Sequence, residues 1–350
     1  MDYISYINGL QVQISEDGEI EVLEDDRFAW RERKMGTVVL SDLYRKAGYL
    51  DYAERAKTCA TWLQYGEFAD GSKKLQAVNF CQLRLCPMCT ARRARRAAWK
   101  LSQVLNRVEA EHGAKFIFLT LTMKNVPGWE LGTALEQLTK GWYRFVEQRQ
   151  IERSVKGWFR AIEITRSGRN YHPHLHVILA VEPDYFSRES RKSGKYLNQK
   201  DLIGRWQKAL RVDYRPGVNI KVTSEKKGGG KILATGGGKA TLEAAKYAVK
   251  DADYIDPKLP EKLAVEIVKD YTTALHRRRL TAFGGWMKIA AKALDAEDIE
   301  ADQDLVHVEE ETIREDVADL ISEFNWHFGA GDYILARRGA NPLKVKKCPA

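Results

Sequence analysis

WFRAIEIT (158–165), RSGRN (166–170) and HLHVILAV (174–181) decide how this chain folds. Side chains on a strand alternate between two faces. In the first run Ile162 and Ile164 share one face, while Glu163 and Thr165 take the other. In the last run Leu175, Val177 and Leu179 oppose His174 and His176. RSGRN between them is a turn sequence, so the whole reads as a hairpin. Upstream, KFIFLTLTM (115–123) alternates in the same way, with Ile117, Leu119, Leu121 and Met123 against Thr120 and Thr122. Each of these strands has an apolar and a polar face. With the apolar faces packed on helices, the polar faces make one open surface on which Glu163, His174 and His176 converge. Two imidazoles and a carboxylate bind a divalent cation and leave positions open for phosphate oxygens and water. An oxygen-rich substrate favours Mg2+ or Mn2+, and Mn2+ tolerates imidazole better. His172 has the same parity but precedes Pro173 at the turn, which suits a supporting or DNA-contacting role more than ligation. The plain alternative is a solvent-facing strand with incidental histidines.

Working outward, Leu131–Gln150 and Leu197–Leu210 read as amphipathic helices and Val218–Thr223 as a strand. The order is β-α-β-β-α-β, an α+β fold with a ferredoxin-like, RRM-like antiparallel sheet and helices on one face. Further out, short strands are expected near Leu10–Ile14. A helix is expected over 41–57, with Ser41 as its cap and Leu43, Ala47 and Leu50 at helical spacing. A long basic helix runs from about Thr90 to Glu111 and stops at Gly113. Helices are expected over 241–252 and 260–280. Four consecutive blocks result: an acidic, helical region (1–57), a zinc knuckle with the basic helix (58–112), the sheet domain (113–256), and a helical C-terminal region with an acidic segment (257–350).

The chain has 350 residues and a net charge of +9, unevenly spread. Residues 295–323 hold thirteen acids and one base, a charge of −12 that leaves +21 on the remainder. The middle of the chain is therefore strongly basic, as a phosphate-binding surface requires. No apolar run is long enough to span a membrane, and the N-terminus shows no secretory pattern, so a cytoplasmic protein is expected. Of five cysteines, Cys59, Cys81, Cys86 and Cys89 cluster and Cys348 stands alone in the tail. Without a secretory pattern, thiol clusters point to metal. Four Cys ligands with no open position make a structural Zn2+ site, with Cys86-Pro-Met-Cys89 as its knuckle. Cys59 is the most distant of the four in sequence.

FLTLTMKNV (118–126), HPHLHVIL (172–179) and EAAKYAVK (243–250) resemble, in order, the three motifs of HUH endonucleases. The likeness is nearest to the replication initiators of small rolling-circle plasmids. The Cys stretch with CPMCTARRARRAAW (86–99) and LHRRRLTAFGGW (275–286) extend it, so that it covers roughly residues 55–290. The resemblance implies an HUH endonuclease fold, with Tyr247 as the nucleophile that cuts one strand and Glu243 as general base for the water that ends the cycle. The chemistry agrees, because a phosphotyrosine ester conserves the energy of the broken bond. Lys250, one helical turn beyond Tyr247, could stabilise the phenolate or the phosphate. Tyr254, at i+7, is a rival second nucleophile, with a partly buried core aromatic as its plain alternative.

For DNA contacts the sequence offers Arg92, Arg93, Arg95 and Arg96, the loop 188–195, the Gly/Lys-rich loop 226–239, and Arg277, Arg278 and Arg279. Trp129 and Trp158 could stack on unpaired bases, whereas Trp142 and Trp206 fall on helices and suit a core. The GGGK sequences lack P-loop spacing and read as a hinge. No ATPase motif is present, so a host helicase and a host polymerase are the implied partners at a plasmid origin with an extruded hairpin. Oligomerisation is left open. The alternatives are another HUH enzyme, a single-strand transposase or relaxase, and a zinc-dependent DNA-binding regulator without catalysis.

Overall fold

A computed structural model of the chain describes residues 3–7, 10–15, 17, 19–24, 28–222, 251–298, 304–308 and 316–345. Among them run twelve strands: β1 (Tyr3–Ile7), β2 (Leu10–Ile14), β3 (Trp62–Glu67), β4 (Lys73–Val78), β5 (Lys115–Thr122), β6 (Val126–Pro127), β7 (Val155–Ser167), β8 (Asn170–Val181), β9 (Val218–Val222), β10 (Thr281–Gly284), β11 (Leu320–His327) and β12 (Asp332–Ala340). No described helix is long and apolar enough to cross a membrane. The fold is α+β with antiparallel sheets. Two compact units interleave along the sequence. One takes Met1–Arg92, Ile255–Val268 and Asp304–Ala350, the other Arg93–Tyr254 and Lys269–Gln303.

The first unit is built on a sheet of order β12-β11-β3-β4. Its C-terminal hairpin corrects the expectation of a helical C-terminal region. Ser322, Phe324 and Trp326 are buried at a spacing of two, the period of a strand rather than a helix. The helix expected over 41–57 is two helices, Trp30–Lys46 and Leu50–Thr58. Gly48 between them sits at φ +87°, which no helix admits. Ser41 is mid-helix, and its hydroxyl donates to the Ala53 carbonyl at 2.8 Å, stapling the second helix to the first instead of capping. Arg338 on β12 ties the sheet together. Its guanidinium donates to both carboxylate oxygens of Glu21, at 2.7 and 2.6 Å, and to Glu67 and Ser322 at 3.1 Å.

The second unit holds a sheet of order β10-β7-β8-β5-β9, with β6 beside β8. β7 and β8 form a hairpin closed at Ser167↔Asn170, with Gly168 at φ +59° in its two-residue turn. Helix Leu131–Val146 follows β5, and helix Gln199–Leu210 precedes β9. The edge strand β10 was not expected from sequence.

Helices cover both faces of this sheet, which corrects the expectation of helices on one face. Ile117, Leu119, Leu121, Ile162, Ile164, Leu175 and Val177 are buried on the face of helices Leu131–Val146 and Gln199–Leu210. On the other face, Phe116, Phe118, Phe159, Ile178 and Phe283 form a core with Leu101, Val104, Leu105 and Val108. These four lie at helical spacing on helix Pro87–His112, which ends against Gly113 at φ +61°. Met287, Ala290 and Ala291 of helix Gly285–Ala293 complete that core. Large apolar side chains on the second face must leave water, so the polar surface read from His174 and His176 is only one end of a covered face.

Candidate metal centres

β7 and β8 pair so that Glu163 lies directly opposite His174 and Ala161 opposite His176. On the next strand, Thr122 pairs with His174 and Thr120 with His176. Glu163, His174 and His176 are each less than 8 % exposed. Their ligand atoms all lie within 4.8 Å of one another. Glu163 Oε2 is hydrogen-bonded to His176 Nε2 and stands 3.3 Å from His174 Nε2.

The tautomer of His174 follows from its other nitrogen. Nδ1 lies 3.1 Å from the His172 carbonyl oxygen, which can only accept, so Nδ1 carries a proton. A neutral His174 then turns the Nε2 lone pair toward the carboxylate. Two acceptors 3.3 Å apart require a cation between them, either a proton or a metal ion. That separation suits adjacent ligands of one ion at roughly 2.1 Å from each. Burial pushes the Glu163 carboxyl up, but with protons on the facing nitrogens the hydrogen bonds of His174 and His176 outweigh it and hold the group well below the usual carboxylate range. The donor set of two imidazoles and one carboxylate therefore fits a divalent cation. His172 stays outside the cluster, its ring 5.4 Å from that of His174, while its carbonyl orients His174. Burial, then the neighbouring His174, lowers its pKa.

In the first unit the thiols of Cys59, Cys81, Cys86 and Cys89 meet. Sγ–Sγ distances are 3.7 Å for Cys59–Cys89 and Cys81–Cys89 and 3.5 Å for Cys86–Cys59. Four sulfurs about 2.3 Å from a tetrahedral Zn2+ stand roughly 3.8 Å apart, so the quartet has the dimensions of such a site. None of the four forms a disulfide. The Cys81 N–H donates to Cys59 Sγ at 3.4 Å. Lys34, which sequence reading passed over, is buried beside the quartet. Its Nζ donates to the carbonyls of Lys57 at 2.7 Å and Cys59 at 2.6 Å. Burial lowers its pKa to about 8, against the upward pull of Cys59, Cys86 and Cys81. It is invisible in sequence because WRERK reads as a solvated basic face.

The remaining expected site residues divide. Tyr247, Glu243, Lys250, the loop 226–239 and Cys348 lie outside the described residues. Tyr254 is buried against Tyr271, ring centroids 6.3 Å apart, as a core aromatic. Arg92 is held inside the first unit. It is 4 % exposed, donates to the carbonyls of Leu305 and Val306 at 2.6 and 2.5 Å, and lies over the Phe28 ring. Arg93, Arg95 and Arg96 remain half-exposed. Arg277 is exposed, Arg278 donates to the carbonyls of Ala274 and Gly132, and Arg279 to that of Glu297. Trp142 and Trp206 are fully buried, Trp158 is half-buried, and Trp129 is 84 % exposed.

Residues 72–334 match the Rep_1 family, described as replication protein. A "Protein rep" of Streptococcus pneumoniae serotype 2 is 32 % identical over 319 residues, covering 89 % of this chain and 93 % of its own length. Another "Protein rep", from Bacillus amyloliquefaciens, is 32 % identical over 92 % of this chain and 99 % of its own length. A "Replication protein" of Staphylococcus aureus is 34 % identical over 61 % of this chain and 87 % of its own length. No solved structure matches. With a family match over most of its length and relatives 32 % identical over 89 % and 92 % of it, the chain belongs to the Rep_1 replication proteins, the rolling-circle plasmid initiators that its motifs resemble.

Proposed function

We propose that this chain starts plasmid rolling-circle replication as an HUH-type endonuclease that nicks one origin strand through Tyr247. The observation that carries the proposal is the buried trio of Glu163, His174 and His176, whose facing acceptors call for a cation. The three side chains would hold Mn2+ or Mg2+, which would supply polarisation of the scissile phosphate and offset its added charge. The Tyr247 oxygen attacks phosphorus, the bond to the 3′ oxygen breaks, and that oxygen takes up a proton. The products are a 5′-phosphotyrosine and a 3′-OH that primes host polymerase behind a host helicase. Lys250 stabilises the phenolate or the phosphate. Glu243 accepts a proton from the water that later hydrolyses the second ester. Arg93, Arg95, Arg96 and Arg277 bind DNA phosphates. The thiol quartet holds Zn2+ as a closed structural site, and the protein works in the cytoplasm.

The test is nicking of a supercoiled plasmid that carries the cognate origin, with Mn2+ or Mg2+ present. Wild type should convert it to open circles and form a covalent protein–DNA adduct. Tyr247→Phe should bind the same DNA and do neither. An adduct formed by Tyr247→Phe, or nicking that persists in excess chelator, would overturn the reading.

A further inference from the structure

A fully buried lysine needs a reason. Lys34 is 0 % exposed within helix Trp30–Lys46, and burying an ammonium is costly unless an anion faces it. Among the described residues no carboxylate pairs with it. Its ammonium is held by two carbonyls, Lys57 and Cys59, and the charged groups it meets are the thiols of Cys59, Cys86 and Cys81. The Phe328 ring lies 5.7 Å from Nζ and adds a weak cation–π contact, not an anion.

We propose that Lys34 is the built-in counter-charge of the thiol quartet, stabilising four thiolates around a divalent metal ion and so tightening metal binding. The inference rests on reading the quartet as a metal site. Four thiolates on a divalent ion carry a net charge of −2, and in a buried setting that excess needs a nearby cation. Lys34 supplies one without becoming a ligand. It bonds to the peptide that carries Cys59 and leaves the sulfur free. The same bonds cap carbonyls at the end of helix Leu50–Thr58, so one side chain both sets the position of Cys59 and neutralises its charge. Lys34 is thus a positioning residue, and partners of this kind typically change metal affinity by about 10–100-fold when removed.

The experiment uses the full chain. Zn2+ affinity is measured by competition with a chromophoric chelator for wild type, Lys34→Met and Lys34→Gln. Lys34→Met removes both charge and hydrogen bonds at similar volume. Lys34→Gln keeps a donor and removes only the charge. Thermal unfolding of each protein is recorded with and without zinc. Both neutral variants should bind Zn2+ at least about tenfold more weakly. Their loss of stability should be larger with zinc than without it, because carbonyls of Lys57 and Cys59 left without a donor weaken both forms alike, whereas the missing counter-charge is felt only beside thiolates. Wild-type affinity in either variant overturns the proposal. So does an equal loss of stability with and without zinc, the mark of a packing role. Should wild type itself take up no zinc, the reading of the quartet fails, a result distinct from either of these.

Discussion

Gly285 offers the sharpest test of how the second unit is assembled. It opens helix Gly285–Ala293, bridges to Gly157 on β7, and sits at φ +55°. A Cβ placed there would lie 2.1 Å from the Lys156 carbonyl oxygen and 2.9 Å from Gly157 Cα. Gly157 in turn is pressed against the backbone nitrogens of Met287 and Trp286, at 2.9 and 3.0 Å from an added Cβ. The two glycines let helix and strand approach at backbone distance, which seats Met287, Ala290 and Ala291 in the core. Gly285→Ala brings two costs. An alanine in the left-handed region costs roughly 1–2 kcal/mol. Backbone must also move by about an ångström to clear a carbonyl, and overpacking of this kind costs typically ~1–3 kcal/mol. The expected loss is about 2–5 kcal/mol, a large share of a stability of roughly 5–15 kcal/mol. Gly168→Ala is the matched control, since it lies at φ +59° in the same unit with nothing within 4 Å of its Cβ. It should show the conformational cost alone. Urea unfolding followed by circular dichroism measures both. If Gly285→Ala costs no more than Gly168→Ala, the close approach does not hold the helix on β7 and the reasoning fails.

Three further outcomes follow from the geometry. Glu163→Gln keeps the volume but removes the anion between His174 and His176, so Mn2+ binding by calorimetry should weaken at least about tenfold, or ~1.4 kcal/mol; an unchanged affinity would remove the carboxylate from the site. Burial pushes the Glu67 carboxyl up, but Ser322, Arg338 and Lys73 outweigh it and hold its folded pKa below the ordinary value. The stability it contributes is therefore complete above about pH 4.3 and lost as pH falls below that, and Glu67→Gln should flatten this acid limb of unfolding free energy. Arg92→Ala strands two carbonyls and should cost about 1–3 kcal/mol of stability, whereas Arg96→Ala, at a half-exposed position over the Trp99 ring, should cost less stability and weaken DNA binding measured by salt-dependent titration.

The hairpin and the convergence of Glu163, His174 and His176 were legible because strand periodicity is local. One parity of β7 and β8 carries Glu163, His174 and His176, and the other carries Ile162, Ile164, Leu175, Val177 and Leu179. The thiol quartet was legible because C-P-x-C spacing is a short-range signal, even though Cys59 closes the site from thirty positions before Cys89. What escaped depends on distant partners. β10 is four residues long and is a strand only because β7 offers an edge. Arg92 looks like any arginine of a basic helix until Leu305 and Val306, more than 200 positions away, present their carbonyls. Lys34 differs from Arg31 or Arg33 only in what folds over it. The N-terminal helix announced itself poorly because Ala29, at φ 55°, caps it without a side-chain bond.

The sheet face that carries the site changes character within a single register step. Phe118 pairs with Ile178 and belongs to the core, and the next same-face pair is Thr120 with His176. Phe118 stacks on the His176 ring, centroids 5.6 Å apart and planes 20° from parallel. The two histidines are consequently oriented by different means. His174 is fixed through Nδ1 by the His172 carbonyl, while Nδ1 of His176 is buried without a hydrogen-bond partner and its ring plane is set by packing. Ligand geometry at one nitrogen therefore depends on a hydrogen bond at the strand end, and at the other on how well the core beneath it is packed. A change in Phe118 or Ile178, which no reading of chemistry would place in the site, would act through His176 on any cation the trio holds. The mixed face is thus not a compromise between folding and function: the core supplies rigidity to the polar end of the same strands.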